Sequence, residues 1–370
     1  MAENKKSNQA DAYMESMKAY QKTYDFLLYL YPILSQFPKF EKFALQSQIK
    51  TAVFEMLKSV IRFRKTGTKS HIYNADVELQ FIKGEYKIFK VFEPKERLIM
   101  ALPFYDRVVQ HMICNAIQPV FENGFYYHSY ACRSGKGMHA ASDTLYQWMY
   151  ETEVKQGLRM YAFKGDISKY FASIPHDKLK DENRRYIGNK KALMLMDDII
   201  DHNGILPDGV GIPVGNLTSQ LFANVYGNKL DKFCKHVLHI PYFVRYMDDF
   251  IILSDDLEQL KEWVKRIEEF LENEMLLHIN PKSTILYAGN GIDFCGYIHY
   301  ADHKKVRKSS IRKLKQDVKA YELGELPPEE FNRKYESRKG HLGHADTYHI
   351  AKAVEYELLF YEWERLEATA

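Results

Sequence analysis

Between Ala12 and about Arg64 apolar residues recur at three- and four-residue spacing. Leu45, Ile49, Val53, Met56, Leu57, Val60 and Ile61 fall on one helical face. Pro38 divides this stretch into at least two helices, because its ring breaks a helix interior. Residues 65–82 open as a polar loop and turn helical again. Near Gly84 the texture changes, and YKIFKVFEPKERLIMALPF has the alternation and proline punctuation of short strands. Helical spacing returns from Asp106 to about Phe121, followed by a glycine-bearing loop, SYACRSGKGMHA. LRMYAFKGDIS reads as an apolar strand and FVRYMDDFIILS as two short strands around a tight turn. Helices lie between them, including GNLTSQLFANVYGNKLDKFCKH. An amphipathic helix with Trp263, Ile267, Phe270 and Leu271 on one face comes next. A polar turn, HINPKST, and a short strand pair, TILYAG with FCGYIHY, follow it. From about Ser309 the pattern is helical.

Composition narrows the classes. At 370 residues, 46% hydrophobic and 27% charged, the chain has material for two or three domains and is too apolar for disorder. No apolar run reaches the roughly 18 residues of a membrane span. MAENKKSNQADAYMESMK carries no signal core, so a cytoplasmic chain without a membrane partner is expected. Cys114, Cys132, Cys234 and Cys295 lie far apart with no C-x-x-C pair, which reads as buried thiols. Lys and Arg total 52 against 49 Asp and Glu, a balance that does not announce a nucleic-acid binder. The charges are segregated, however. Between His303 and Lys319, Lys304, Lys305, Arg307, Lys308, Arg312, Lys313, Lys315 and Lys319 face only Asp317 as an acid. Such a run is either a solvated helix face or a track for phosphates.

The sharpest chemistry is YMDDF at Tyr246–Phe250. Asp248 and Asp249 sit at the tip of a strand–turn–strand, where each raises the other's pKa. A divalent cation relieves that repulsion, and Mg²⁺ prefers hard oxygen ligands. Asp166 closes another apolar strand, in FKGDISKYFASI. Two-metal phosphoryl transfer needs carboxylates from separate elements around metals about 3.5–4 Å apart. A lone carboxylate on one strand and a pair on a neighbouring hairpin supply that arrangement. Asp197–Asp198 and Asp255–Asp256 read instead as solvated or helix-capping acids.

Taken in order over residues 84–300, these segments resemble the reverse transcriptase family. KGDISKYFASI is similar to its first catalytic motif and YMDDF to its second. The resemblance implies an α+β right-hand polymerase with an antiparallel-sheet palm. Its parts would be an N-terminal helical region over 1–82, fingers over 83–160, a palm with inserted fingers helices over 161–300, and a helical thumb over 301–370. It implies an RNA-directed DNA polymerase in which Asp166, Asp248 and Asp249, with the Ile167 carbonyl, hold two Mg²⁺ ions, Mn²⁺ being the substitute. Phe171 would be the steric gate that favours deoxynucleotides, with Tyr246 and Met247 against the primer–template. EPKERLIMALPFYDRVVQH is similar to the fingers segment that meets the triphosphate, which points to Arg97, Lys95 and Arg107, the last equally an ion-pair partner of Asp106. SYACRSGKGMHAA places Arg133 near the triphosphate or template. Lys282 in HINPKST fits the family's lysine near the nucleotide. FCGYIH resembles the primer grip, with Gly296 and Tyr297 as its contacts. Beside such a palm, Lys304, Lys305, Arg307, Lys308 and Arg312 would track the primer–template backbone.

GIPVGNLTSQLFAN carries the subfamily signal. Most of the family has Gln-Gly and then Ser-Pro here, whereas this chain reads Val214-Gly215 and Ser219-Gln220. That form resembles the reverse transcriptases of diversity-generating retroelements, which implies copying that is error-prone at adenines. Gly215 would allow close approach of nucleotide or primer–template, and Asn216, Ser219 and Gln220 offer polar contacts. KTYDFLLYLYPILSQFPKFEKFALQSQIKTAVFEMLKSVIR is similar to the first helices of the helical-bundle accessory protein that partners these enzymes. It is either a fused accessory-like element or a plain helical extension. The implied partners are a dedicated template RNA, nascent cDNA, dNTPs and, through this region, a second copy or an accessory bundle. Two other purposes stand beside this one: an antiviral-defence reverse transcriptase, and an inactive RNA-binding scaffold. Intact Asp166, Asp248, Asp249 and Phe171 argue against the scaffold.

Overall fold

The computed structural model describes residues 86–92, 96–202 and 204–367. The helices expected over residues 12–82, and Lys95, lie outside the described residues. The chain divides into two compact units, residues 1–113 with 215–217 and residues 114–214 with 218–370.

In the first unit, β1 (Lys87–Val91) and β2 (Arg97–Ala101) pair antiparallel, with Val91 opposite Arg97. This is the alternating stretch of the sequence realised as a hairpin. β1 is exposed along its length, while Met100 and Leu102 are buried. Gly215 also belongs here. Its φ is +123°, and a Cβ would stand 3.1 Å from both Ile99 Cγ2 and the Met100 carbonyl, so the close approach requires glycine. α1 (Phe104–Glu122) then runs on into the second unit.

The second unit is built on a sheet. In chain order it contains α2 (Met138–Met149), β3 (Tyr161–Asp166), α3 (Tyr170–Ser173), α4 (His176–Tyr186) and α5 (Lys190–Asp201). Next come α6 (Leu217–Lys232), β4 (Tyr242–Tyr246), β5 (Asp249–Ser254), α7 (Leu257–Glu274) and β6 (Thr284–Tyr287). The strands lie in the order β4-β5-β3-β6, every neighbouring pair antiparallel. Phe250, Ile251, Ile252 and Leu253 of β5 are all at most 1% exposed, so both faces of the sheet are covered. On one face Ala141, Leu145 and Met149 of α2 pack with Ala162, Val244, Ile251 and Leu253. The Phe163, Phe243 and Phe250 rings meet at 5.8 and 6.0 Å. A Cβ on Gly165 would stand 2.3 Å from Phe250 Cζ, so glycine is what lets that ring lie across β3. Asp256 caps α7 by accepting from the Glu258 and Gln259 N–H groups, as expected of that acid pair. Leu260, Ile267 and Leu271 are fully buried, each contributing about 1.5–3 kcal/mol.

The strand pair expected of TILYAG with FCGYIHY does not form. Thr284–Tyr287 instead pairs with β3 and extends the sheet to four strands. The second segment folds back locally as β7 (Ile292–Phe294) and β8 (Tyr297–His299), and β9 (Lys304–Val306) completes a three-stranded sheet. The reason is the turn: Cys295 (φ 48°) and Gly296 (φ 88°) both take positive φ, which closes a two-residue hairpin. α8 (Lys308–Glu322), α9 (Pro328–Leu342) and α10 (Tyr348–Glu367) follow. Their core is Leu314, Val318, Tyr321, Phe331, Leu342 and Val354, joined by Tyr297 and Val306. Cys114 and Cys234 are the buried thiols expected, but Cys132 is exposed and Cys295 half-buried. No helix among the described residues is long and apolar enough to cross a membrane.

Candidate active site

Strand register brings the acids together. Asp166 ends β3 and faces Asp249, the first residue of β5. Directly opposed residues of antiparallel strands lie about 4.5–5.5 Å apart at Cα. Tyr246 also faces Asp249, leaving Met247 and Asp248 as a two-residue loop. Met247 has φ 59°, a region glycine ordinarily fills at this loop position. The Asp248 carbonyl accepts from the Ile167 N–H at 3.2 Å. Burial, then the neighbouring Asp248 and Asp166 carboxylates, push the Asp249 carboxyl up to about 6, against the pull of Lys164 and Arg307.

Three carboxylates on opposed strands and their loop are hard-oxygen groups, and a divalent cation such as Mg²⁺ or Mn²⁺ would relieve their mutual repulsion. Ladder bonds beside Ile167 run from Ser168 N to His278 O and from Asn280 N to Asp166 O, so the Ile167 carbonyl takes no part in them. Among the described residues no three His, Cys, Asp or Glu side chains stand at ligand spacing. Asp166 Oδ2 instead accepts a 2.6 Å hydrogen bond from Asn280 Nδ2. The Ser283 hydroxyl accepts from the Asp166 N–H at 3.0 Å. Both residues belong to HINPKST, whose polar turn was legible but whose hold on Asp166 was not.

Beneath the loop lies a buried charge. Arg245, the penultimate residue of β4, is 1% exposed, and Asp231 on α6 is fully buried. They pair side-on, Nε to Oδ1 at 2.6 Å and Nη2 to Oδ2 at 2.7 Å. Burial opposes the guanidinium charge, but the Asp231 carboxylate outweighs it and holds the Arg245 pKa above its ordinary value. The missed signal was an arginine inside an apolar strand, FVRYM, which cannot be buried without a carboxylate partner.

Phe171 is half-buried beside Tyr170, and its carbonyl accepts from the Ile212 N–H at 2.8 Å. The Phe171 backbone is thus tied to GIPVG. Gln220 is half-buried, Lys282 exposed, and Gly296 forms the positive-φ turn. Arg97 and Arg107 are exposed in the first unit.

Several expected contacts are structural instead. Arg133, with a side chain 7% exposed, pairs with Glu122 at 2.9 Å and donates to the Tyr126 and Ser129 carbonyls. Its guanidinium is consumed in bracing the loop. Tyr297 is fully buried, its oxygen bonded to His139 Nδ1, His341 Nδ1 and the His341 carbonyl. It joins the core beneath α8, α9 and α10 because strand alternation turns it inward. Asn216 and Ser219 are 2% and 3% exposed, and Asn216 Nδ2 donates to the Tyr86 hydroxyl. Met247 is buried as well, so only its backbone serves the loop. Tyr246 packs on the α2 side of the sheet. Lys304 is buried against Asp143 and Arg307 pairs with Asp293 at 2.6 Å, whereas Lys305, Lys308 and Arg312 are exposed.

A family model described as reverse transcriptase (RNA-dependent DNA polymerase) matches residues 89–299. A model described as bAvd-like matches residues 17–91. Protein YkfC of Escherichia coli (strain K12) is 25% identical over 292 residues, covering 63% of this chain and 72% of its own. An uncharacterized 91 kDa protein in the cob intron of Schizosaccharomyces pombe is 31% identical over 139 residues, 36% of this chain and 16% of that protein. Apo telomerase from Candida tropicalis aligns with a TM-score of 0.49 at 13% identity, over 62% of this chain and 48% of that one. The chain thus spans about half of the telomerase and a small part of the intron protein.

Proposed function

The chain belongs to the reverse transcriptase family of RNA-dependent DNA polymerases, and on that premise we propose that it copies an RNA template into DNA at the Asp166–Asp248–Asp249 cluster. Its α+β fold is the right-hand polymerase fold of that family. The observation that carries the reading is the register that sets Asp166 opposite Asp249 with Asp248 in the connecting loop. Asp166, Asp248, Asp249 and the Ile167 carbonyl would hold two Mg²⁺ ions. Bound there, the ions would lower the pKa of a primer 3′-hydroxyl and offset the charge of leaving pyrophosphate. Phe171 excludes a 2′-hydroxyl beneath the sugar, and Lys282 supplies a proton to pyrophosphate. In this reading residues 83–160 are fingers, 161–300 palm and 301–370 thumb. Arg97 and Lys95 of the fingers meet the triphosphate. Gly215 and Gln220 line the nucleotide side.

The biological setting we propose is that of a diversity-generating retroelement. Val214-Gly215-Asn216-Leu217-Thr218-Ser219-Gln220 supports it, as does the bAvd-like match over residues 17–91. The N-terminal region then provides in cis what a separate accessory bundle provides elsewhere, and the template is a dedicated RNA.

Primer extension on RNA with Mg²⁺ and dNTPs tests the polymerase. The parent is expected to extend and Asp248→Ala to lose extension; equal extension by both removes the catalytic assignment. Sequencing the cDNA tests the setting, with substitutions concentrated opposite template adenines. Uniform fidelity there removes the diversifying role and leaves the polymerase standing.

A further inference from the structure

We infer that Arg245, seated by Asp231, is a positioning residue that sets the Asp248 carboxylate through the Met247–Asp248 peptide. The inference rests on reading the three aspartates as the metal-holding site of a polymerase.

Neutralising a buried guanidinium needs only the two bonds to Asp231, but Arg245 makes more. Nη1 donates to the Met247 carbonyl at 2.8 Å, and Nη2 also donates to Ser129 Oγ at 3.0 Å. One helix stripe shapes the slot. Ala223, Gly227 and Asp231 recur every four residues along α6, so they share a face. A Cβ on Gly227 would stand 2.6 Å from Nη1 and 2.7 Å from Cζ of Arg245, so only glycine leaves room. The same Cβ would lie 2.9 Å from the Tyr170 hydroxyl, which donates to the Ala223 carbonyl at 2.7 Å. The guanidinium plane is therefore fixed from below by Asp231, from the side by Gly227 and Tyr170, and across by Ser129.

What that plane holds is the entry to Asp248. The Met247 carbonyl and the Asp248 N–H belong to one planar peptide, so anchoring the oxygen orients the whole unit. Met247 sits at positive φ, a conformation that persists only where its surroundings over-determine it. The peptide leaving Asp248 is anchored too, by the Ile167 N–H on the Asp248 carbonyl. Asp248 is thus pinned between two fixed planes, one tied to the buried ion pair and the other to the strand that carries Asp166. A buried ion pair adds little net stability over apolar packing, so its use here is geometric.

The experiment compares Arg245→Met/Asp231→Leu and Arg245→Lys with the parent and with Asp248→Ala. It reads thermal unfolding, Mn²⁺ binding followed by electron paramagnetic resonance without nucleic acid, and steady-state primer extension. The apolar pair replaces the ion pair without stranding a charge. It is expected to fold, to bind Mn²⁺ roughly 10–100-fold more weakly and to lose kcat by a similar factor. Its KM for dNTP should stay within about twofold of the parent. Lysine keeps a charge for Asp231 but has no planar fork to reach Met247 as well, so Arg245→Lys should show near-parental unfolding and weakened Mn²⁺. A folded variant of either kind with parental Mn²⁺ affinity and kcat overturns the inference, provided Asp248→Ala has lost both. If Asp248→Ala itself retains Mn²⁺ binding and extension, the metal-site reading falls and takes this inference with it.

Discussion

Charge is used in opposite ways by the palm hairpin and by the thumb helix α8. Around the hairpin, charged groups are buried or half-buried and held by specific partners: Arg245 by Asp231, Arg133 by Glu122, Asp166 by Asn280. On α8, Lys308, Arg312, Lys315 and Lys319 recur at three- and four-residue spacing and all four are exposed, while Leu314 and Val318 face the core. Buried charge fixes geometry and is little screened by salt. Exposed charge supplies affinity for a polyanion, at a strength that salt dials down. The palm is therefore expected to govern turnover and the stripe to govern binding.

The harshest way to break that division is Asp249→Asn. If Asp249 holds a metal as proposed, losing its carboxylate should lower kcat by roughly 10³-fold, because electrostatic stabilisation of several kcal/mol is removed. Template affinity, measured by filter binding, should stay near the parental value. A loss of affinity as large as the loss of kcat would mean that the hairpin binds rather than catalyses.

Arg133 sharpens the palm side. If its guanidinium braces the loop, Arg133→Ala destabilises the fold by about 2–4 kcal/mol, since Glu122 and two carbonyls lose their donor. Urea unfolding measures this, and the KM for dNTP of the folded fraction should not change. A raised KM at parental stability would return Arg133 to the triphosphate.

These two residues show where sequence reasoning reaches. That Asp166 comes beside the Asp248–Asp249 turn was legible because adjacent acids at the tip of an apolar hairpin demand a chemical explanation, and the strands that carry them announce themselves by periodicity. Arg133 and Tyr297 are held away from the expected contacts in the structure, because a motif gives order along the chain but not the direction of a side chain. One faces its own loop carbonyls and the other the thumb core. Asn280, Ser283 and Asp231 escaped because each acts on a residue distant in sequence, and only the folded register shows which. Likewise TILYAG chose β3 over its neighbour because a two-residue turn at Cys295–Gly296 had already claimed FCGYIHY.

Acid exposes the same dependence of buried charge on a defined partner. His299 is fully buried, its Nδ1–H donating to the Ile292 carbonyl at 3.0 Å and its Nε2 accepting from the Ser142 hydroxyl at 2.7 Å. Burial holds its pKa down at about 4. An unfolded histidine titrates near about 6.5, so between those values the unfolded chain binds the extra proton. The stability His299 contributes is complete above 6.5 and falls by about 2 kcal/mol from pH 7 to 5. Asp249 works against it in part, because its raised pKa lets the native state take up a proton first as pH falls. Thermal melts of His299→Gln isolate the histidine: its profile from pH 7 to 5 should be flatter than the parent's. Parallel profiles would show that the imidazole is charged in the fold.

The gentlest change tests the thumb. Replacing Lys308, Arg312, Lys315 and Lys319 together with glutamine leaves α8 its packing face, so unfolding should barely move. Binding to the RNA template should weaken by roughly tenfold at moderate salt, and the slope of log affinity against log salt should fall by about 3, near 0.7 for each of the four lost phosphate contacts. At saturating template kcat should remain parental, the reverse of Asp249→Asn. The slope is the discriminating quantity, because a solvated helix face and a phosphate track share the same burial and the same spacing. An unchanged slope would make the stripe a solvated surface.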